Sequence, residues 1–133
     1  MSYLGKLYSH DRDENYESYI ESLGLPADKV ANLKNYKPQQ KLEKNGDTYT
    51  LTAVSPVGNR VASFKVGEEF DETVAEGHKA KTTYTLDGNT LTQTQKFPDG
   101  NILYTKREYF DDKLIVTLTR TNWDGTAVRY YKA

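Results

Sequence analysis

The chain has 133 residues, enough for one domain with a core of its own, and it contains no cysteine, which excludes disulfides, thiolate metal ligands and cysteine nucleophiles. Its formal net charge of −1 argues against a nucleic-acid-binding protein, because such proteins usually carry a basic excess. No run approaches the ~18 apolar residues of a transmembrane helix and no signal-peptide core is visible, so we expect a soluble, intracellular protein.

The first predicted element in chain order is a short amphipathic helix in the segment DENYESYIESLG. Tyr16, Tyr19, Ile20 and Leu23 fall at positions i, i+3, i+4 and i+7, so they form one apolar stripe along a helix. Gly24 follows at the position where a helix commonly ends in a left-handed glycine.

A second short helix is predicted in the segment LPADKVANLKNYKP. Pro26 suits the first helical position, Val30 and Leu33 share one face, and Pro38 stops the helix. Because only a short turn separates the two helices, they form a tight helix-turn-helix. The second helix has few basic residues, which disfavours a DNA-reading role.

From residue 38 onward the pattern changes to the period-two alternation of β-strands. Turn signals recur at nearly even spacing, and the Asn-Gly and Asp-Gly pairs among them suit tight hairpins. The eight signals are Asn45-Gly46, residues 56–59, Gly67, Glu76-Gly77, Asp87-Gly88, residues 98–100, Asp111-Asp112 and Asp124-Gly125. They separate nine short strands, and the segment LGKLYSHDR before the helices makes a tenth.

Ten antiparallel strands in a meander either close into a barrel or expose two edges. Closure into an up-and-down β-barrel removes the edges, and a barrel of this size is too wide for side chains alone to fill. The sequence therefore predicts an all-β fold, a ten-stranded antiparallel up-and-down barrel with an internal cavity, capped at one mouth by the helix-turn-helix.

The last strand, AVRYYKA, places an arginine and a tyrosine on one face. Ala127, Arg129 and Tyr131 point one way, and Val128 and Tyr130 point the other. An arginine is rarely interior unless it is paired, so the residues alone leave both an outward-facing arginine and a buried anion-binding arginine open.

Six segments, taken in order, resemble one protein family. They are ENYESYIESLGL, KNGDTYTL, SFKVGEEFDET, TLDGNTLTQTQK, REYFDDKLIVTLT and VRYYKA. In this order the chain resembles the intracellular lipid-binding proteins and, within them, the fatty acid-binding proteins; MSYLGKLY and the NWDG turn are most similar to insect members. Because the resemblance runs end to end, it implies a single lipid-binding barrel domain over residues 1–133.

The resemblance implies a clamshell barrel whose cavity holds a ligand carboxylate. The Arg-x-Tyr pattern of the family falls on Arg129 and Tyr131, and the earlier arginine falls on Arg107. It also implies that the face of Ala127, Arg129 and Tyr131 is the cavity face. His10 departs from the family, since an apolar residue is common there.

The resemblance further implies a cavity wall and a portal made from the helices and several strands. The residues expected there are Tyr16, Tyr19, Ile20, Leu23, Leu25, Val30, Leu33, Val57, Ala75, His78, Val116 and Leu118. His78 is expected to line the portal and not to act as a base, because no partner residue is specified for it. No His, Cys or carboxylate spacing resembles a metal site, and no cofactor is implied.

The expected function is non-covalent binding and transport of long-chain fatty acids by a cytoplasmic monomer. Retinoic-acid-like or other isoprenoid acids are the alternative ligands, since they would use the same Arg107, Arg129 and Tyr131. An enzyme is not expected, because the sequence specifies no nucleophile and base. Lys29 and Lys34 on the second helix suggest transient contact with membranes.

Overall fold

The computed structural model describes residues 3–56, 58–73 and 79–133, and in them the chain forms ten antiparallel strands and two helices. The elements are β1 Ser9–Glu14, α1 Tyr16–Ser22, α2 Ala27–Lys34, β2 Gln39–Asn45, β3 Thr48–Ser55, β4 Gly58–Phe64, β5 Phe70–Thr73, β6 Lys79–Asp87, β7 Thr90–Lys96, β8 Ile102–Tyr109, β9 Lys113–Arg120 and β10 Trp123–Lys132. This order confirms the predicted fold class.

The strands form two hydrogen-bonded sheets. One contains seven strands in the order β1-β10-β9-β8-β7-β6-β5, and the other contains β2-β3-β4. A β-bridge between Tyr8 and Gln40 joins the sheets, and the backbone N–H of each residue donates to the carbonyl of the other at 2.8 Å. The first and last strands of the chain pair directly, so the N-terminal segment completes the wall beside β10.

The predicted ladder is interrupted between β4 and β5. Within the described ranges no backbone ladder pairs these two strands, although the Gly67 turn signal predicts a hairpin there. The Gly67 N–H instead donates to the Tyr84 carbonyl at 2.8 Å. Stacked aromatic rings also contact Tyr84. The ring centroids of Phe64 and Phe70 lie 3.8 and 6.2 Å from the centroid of the Tyr84 ring. Aromatic packing thus replaces strand pairing at this gap.

The prediction of a turn at Asp124-Gly125 is wrong by a few residues. The chain reverses at residues 121–122, where Asn122 takes a left-handed φ of 63°, and Gly125 lies inside β10. The β9–β10 register shifts between Trp123 and Ala127. A Cβ on Gly125 would lie 2.5 Å from the Trp123 ring, so glycine is needed here for the close approach of that ring.

Helix α1 is part of the core. Tyr16, Tyr19 and Ile20 are buried as the apolar stripe predicts, and Gly24 follows with φ of 70° in its predicted capping role. The Tyr19 ring meets the Trp123 ring edge to face at 5.6 Å. In addition, the Arg120 guanidinium donates to the Ser22 carbonyl at the end of the helix.

Helix α2 is packed more loosely than α1. It begins at Ala27, one residue later than predicted, with Pro26 as its N-cap. None of its residues is fully buried, and Val30 and Leu33 are half-buried against the core.

A tyrosine cluster fills the opposite end of the barrel. Tyr3 stacks on Tyr109 at 4.9 Å, and the buried Tyr8 ring lies 5.7 Å from Tyr109. The Tyr3 hydroxyl donates to the Gly88 carbonyl and that of Tyr8 to the Phe110 carbonyl. These carbonyls belong to the β6–β7 and β8–β9 turns, which lie at one end of the barrel. Helix α1 packs near the β9–β10 turn, at the other end. The cavity therefore lies between the end that the tyrosines fill and the end that the helices cover.

The different burial of the two helices predicts different costs of truncation. Ile20 is 2% exposed, so Ile20→Ala should lower the free energy of unfolding by about 2–4 kcal/mol. Leu33 is only half-buried, so Leu33→Ala should cost about 1 kcal/mol or less. Urea unfolding of both variants measures this difference, and equal losses would contradict the assignment of α1 alone to the core.

Candidate functional site

The inner face of β10 carries the predicted anion-binding pair. Ala127, Arg129 and Tyr131 are buried, whereas Val128 and Tyr130 are partly exposed. The same parity continues on β9, where Leu114, Val116 and Leu118 are buried, so the inner faces of the two strands are continuous.

One row of directly paired residues crosses the inner face of the sheet. Val116 on β9 pairs with Arg107 on one side and with Arg129 on the other, and Arg129 pairs with Asp13 on β1. Directly opposed residues project to the same face, and two strand spacings separate the Cα atoms of the arginines by about 10 Å. The register therefore places two arginines and one carboxylate along a single line.

A cavity of about 660 Å³ lies against this face. Its wall includes ten of the predicted residues: Tyr16, Tyr19, Ile20, Leu23, Leu33, Arg107, Val116, Leu118, Arg129 and Tyr131. The volume is within the range typical of small-molecule sites.

Five of the predicted wall and portal residues lie elsewhere or cannot be placed. Leu25, in the turn between the helices, and Val30, half-buried on α2, are both described and do not line the cavity. Val30 packs against the core while Leu33, three residues further on, reaches the cavity. Val57, Ala75 and His78 lie outside the described residues.

Arg129 is already held by other groups of the protein. Its Nε donates to Asp13 Oδ1 at 2.9 Å, and Nη2 donates to Asp13 Oδ2 at 3.5 Å and to the Tyr36 carbonyl. The guanidinium also lies 3.9 Å from the centroid of the Tyr16 ring, a cation–π contact. Burial lowers the pKa of Arg129, but Tyr131, Tyr16 and Asp13 raise it by more, so the side chain is charged.

Asp13 shares its carboxylate between two partners. His10 Nε2 lies 2.7 Å from Asp13 Oδ1, the same oxygen that accepts from Arg129. Burial raises the pKa of Asp13, and the hydrogen bonds from Arg129 and His10 together outweigh it, so the pKa lies below its ordinary value. The carboxylate is therefore ionised at neutral pH.

A bulge in β1 brings His10 and Asp13 together. The register with β10 shifts between His10, which pairs with Tyr131, and Arg12, which pairs with Tyr130. In a regular strand, residues three apart face opposite sides, whereas an extra residue in one strand lets both reach the same side. Arg12 points outward and stacks on the Tyr130 ring at 4.0 Å.

Arg107 has far less compensation than Arg129. Its Nη1 donates to Gln93 Oε1 at 3.0 Å, and its Nε is buried and has no hydrogen-bond partner among the described residues. The Gln40 Oε1 atom is also buried without a partner in the described ranges. The Arg107 guanidinium therefore lines the cavity with a neutral hydrogen-bond partner and no carboxylate partner among the described residues, so its charge is uncompensated there.

Tyr131 lies beside the charged row, which is the row of paired residues Asp13, Arg129, Val116 and Arg107, and its hydroxyl is protonated. Burial raises its pKa, against the lowering effects of Arg129, Gln40 and Arg107. Its phenol can therefore donate a hydrogen bond at neutral pH. Burial likewise raises the pKa of Tyr16 to about 12.

Neither a metal cluster nor a membrane-crossing helix is found in the described parts of the chain. No group of three or more His, Cys, Asp or Glu side chains there could hold a metal ion. No described helix is long and apolar enough to span a bilayer.

Over residues 1–127 the sequence matches the family described as lipocalin / cytosolic fatty-acid binding protein. The chain belongs to this family. It is 47% identical to fatty acid-binding protein 2 of Manduca sexta over 133 residues, which is 100% of both chains. The resemblance seen in the sequence is thereby confirmed.

Solved structures of fatty acid-binding proteins have the same fold. The fatty-acid-binding protein isolated from Manduca sexta superposes with a TM-score of 0.90 at 46% identity, covering 98% of this chain and 99% of that one. A Schistosoma mansoni fatty acid binding protein in complex with arachidonic acid superposes with a TM-score of 0.88 at 30% identity, covering 98% and 95%.

Sequence reasoning missed three polar residues around the two arginines. Gln93 alternates with threonines in β7, which is the pattern of a polar inner face, so parity could have found it. Asp13 is hidden by the bulge, which breaks that parity. Tyr36 contributes only its backbone carbonyl, for which no side-chain signal exists.

The Asp13–Arg129 pair predicts a specific acid dependence of stability. Because the pKa of Asp13 is depressed in the folded state, the carboxylate stabilises the fold above its unfolded pKa of about 3.9, and this contribution is lost as the pH falls through the folded pKa. Asp13→Asn should therefore lower the free energy of unfolding at pH 7. Its difference from the wild type should shrink below about pH 3 in a urea series.

Asp71→Asn is the matched control for this experiment. Asp71 forms an ion pair with Lys81 in which both side chains are exposed to solvent, and screening makes such pairs weak. The control removes the same charge and should change stability at pH 7 much less. Equal losses in the two variants would mean that the Asp13 pair does not hold the fold.

Proposed function

We propose that this chain is a monomeric cytoplasmic carrier that binds long-chain fatty acids non-covalently in its cavity. Arg107, Arg129 and Tyr131 form the anion site for the carboxylate. The proposal is supported by membership of the family and by relatives named as fatty acid-binding proteins, one of them solved with arachidonic acid. The observation that carries it is the Arg107 guanidinium on the wall of a cavity of about 660 Å³, which has the neutral Gln93 and no carboxylate as its partner among the described residues.

The ligand's tail and head group contribute differently. Burial of about sixteen carbons releases roughly 0.8 kcal/mol per methylene, of order 10 kcal/mol before the costs of association. A carboxylate about 4 Å from one arginine gains about 4 kcal/mol at an effective dielectric of 20, before desolvation is subtracted. The tail therefore supplies most of the affinity, and the arginines select an anionic head group.

The cavity is proposed to bind its ligand without chemistry. His10 and Asp13 form a histidine–carboxylate pair, but the hydrogen bonds of the described residues give His10 no serine or threonine hydroxyl as a nucleophile. The His10 ring instead meets the Tyr131 ring edge to face at 5.5 Å.

Incubation of the purified protein with labelled oleate tests this proposal. Recovery of a stoichiometric complex with unchanged oleate supports a carrier, and an altered product would indicate an enzyme. Competition with retinoic acid in the same assay measures the alternative ligand class, and displacement of oleate by sub-stoichiometric retinoic acid would favour isoprenoid acids.

Arg107→Gln should weaken carboxylate ligands selectively. We expect the Kd of oleate to rise about tenfold or more, because a charge partner for the buried carboxylate is lost, while the Kd of oleyl alcohol changes little. Calorimetry with both ligands measures the difference. Arg12→Gln removes the same charge from the outer face of the barrel and should leave both constants unchanged. An equal loss for oleate and oleyl alcohol would contradict an anion-binding role for Arg107.

We also propose transient contact between the helix pair and anionic membranes. Lys29, Lys34 and Lys37 lie on or just after α2, and the Lys34 Nζ is 3.2 Å from Glu21 Oε2, an ion pair that a lipid phosphate can replace. Each lysine near an anionic surface contributes about 1 kcal/mol, which favours collision over stable anchoring.

Fluorescent fatty-acid transfer to vesicles measures this contact. The transfer rate should rise with vesicle concentration and anionic lipid content, and it should fall in Lys29→Glu, Lys34→Glu. A Lys41→Glu, Lys106→Glu variant changes the charge equally on the strands and should transfer at the wild-type rate. A rate that is indifferent to vesicle concentration would mean that release into water is limiting.

A further inference from the structure

A second polar cluster lies on the cavity wall, apart from the charged row. Glu72 shares the half-buried face of β5 with Phe70, whereas Asp71 and Thr73 are exposed, so the Glu72 side chain points inward. Glu72 and Gln95 both line the cavity. Neither residue belongs to the proposed anion site, so the wall of β5 and β7 offers a separate set of polar groups to a ligand.

Two neutral donors hold one oxygen of the Glu72 carboxyl group. The Thr82 hydroxyl donates to Glu72 Oε1 at 2.8 Å, and Gln95 Nε2 donates to the same oxygen at 2.9 Å. Thr82 is fully buried and pairs directly with Gln95 across β6 and β7, so the strand register brings the two donors together. Because both bonds use Oε1, they leave Oε2 to accept from another donor.

Gln95 adds a second acceptor to this cluster. A carboxylate only accepts hydrogen bonds, so the amide nitrogen of Gln95 must face Glu72 and the amide oxygen must face away from it. The cluster therefore presents two acceptor oxygens, Glu72 Oε2 and Gln95 Oε1, on residues that line the cavity. An unsubstituted hydrocarbon tail has no donor for either oxygen.

We propose that Glu72 and Gln95 form a tail subsite that recognises a hydroxyl group near the middle of a long-chain fatty acid. The inference rests on the proposed function, since it refines the ligand class of the same cavity. The ligand hydroxyl donates to Glu72 Oε2, and hydrogen bonds to a charged acceptor are stronger than neutral ones. A neutral hydroxyl suits the subsite better than an ammonium group, because burying a further charge costs more hydration.

The strand register separates this subsite from the head-group end of the ligand. Arg107 Nη1 donates to Gln93 Oε1, and Gln95 follows two residues later on the same face of β7. Two residues of a strand span about 7 Å, so a carboxylate at Arg107 and a hydroxyl at Glu72 belong to well-separated carbons of one chain. Tyr84 lies near both charged groups, since its pKa, which burial raises, is lowered by Arg107 and raised further by Glu72.

Stearates that are substituted at the tenth carbon test the subsite. A hydroxyl there can donate a hydrogen bond, whereas a ketone at the same carbon can only accept one. Glu72→Gln exchanges the preference, because the new amide oxygen must accept from Thr82 and Gln95, which turns the new N–H donors toward the ligand. Calorimetry gives the Kd of hydroxystearate, ketostearate and stearate for both proteins.

The ratio of the two substituted ligands is the decisive quantity. We expect the wild type to bind hydroxystearate about fivefold or more tightly than ketostearate, and Glu72→Gln to bring this ratio to about one or below. The Kd of stearate should change by less than about threefold, because stearate makes no hydrogen bond to the subsite. Glu43→Gln makes the same substitution at an exposed position of β2 and should keep the wild-type ratio.

Two results overturn the proposal. A wild-type ratio near one would mean that water satisfies Glu72 as well as a ligand hydroxyl does, and a ratio that Glu72→Gln leaves unchanged would place the preference elsewhere. A stearate with its hydroxyl at the second carbon carries the donor beside the carboxylate, so its Kd should be the same in both proteins. If this isomer depends on Glu72 as strongly as the tenth-carbon isomer, the mid-chain position is overturned.

The test does not depend on the folding of the variant. If Glu72→Gln does not fold, the wild-type ratio and a crystal structure of the wild-type hydroxystearate complex decide the outcome. We expect the ligand hydroxyl oxygen about 3 Å from Glu72 Oε2, and a hydroxyl directed away from Glu72 overturns the proposal.

The same titrations separate this inference from the proposed function. If the wild type binds none of the stearates, the carrier function itself fails. If the wild type binds stearate and shows no preference between the hydroxyl and the ketone, the carrier function stands and only the tail subsite is overturned.

Discussion

Compensation of positive charge inside the barrel is the constraint on which the site depends. A guanidinium removed from water loses several kcal/mol of hydration unless hydrogen bonds and an opposite charge replace it. Arg129 is only 5% exposed, and it has Asp13, the Tyr36 carbonyl and the Tyr16 ring around it. Arg107 has only Gln93 as its hydrogen-bond partner in the described residues. The two arginines on the inner face of the barrel are therefore compensated unequally.

The charged row also connects the site to the helices. Tyr16 belongs to α1, and Tyr36 lies in the segment that leads from α2 into β2. Both contact the Arg129 guanidinium, so the Asp13–Arg129 ion pair helps to fix the position of the helix pair over the barrel. The Arg120 hydrogen bond to Ser22 and the Tyr19–Trp123 contact fix α1 to the end of the β9–β10 hairpin. The looser α2 is the part of the lid that can move with least loss of buried contact.

The architecture could be predicted from the sequence because regular period-two and helical patterns encode it. The parity of Ala127, Arg129 and Tyr131 put these residues on one face, and the family resemblance assigned that face to the cavity. The stripe of α1 and its capping Gly24 were also correctly anticipated. Local irregularities carry no such signal. The reversal at Asn122 depends on the Trp123 ring packing over Gly125, a tertiary contact that a search for Asp-Gly pairs cannot detect.

The compensation of Arg129 could not be predicted for the same reason. An Asp three residues after a His in a strand is expected on the opposite face, and only the bulge between His10 and Arg12 reverses that expectation. The gap between β4 and β5 is similar, because ring stacking on Tyr84 replaces a ladder that the Gly67 turn signal predicted. The portal residues Val57, Ala75 and His78 lie outside the described ranges, so their roles stay predictions.

A crystal structure of the oleate complex tests the central claim most directly. The account predicts a carboxylate oxygen about 3 Å from a guanidinium nitrogen of Arg107, whose hydrogen-bond partner in the described residues is the neutral Gln93. A head group at the gap between β4 and β5, remote from Arg107, would contradict it.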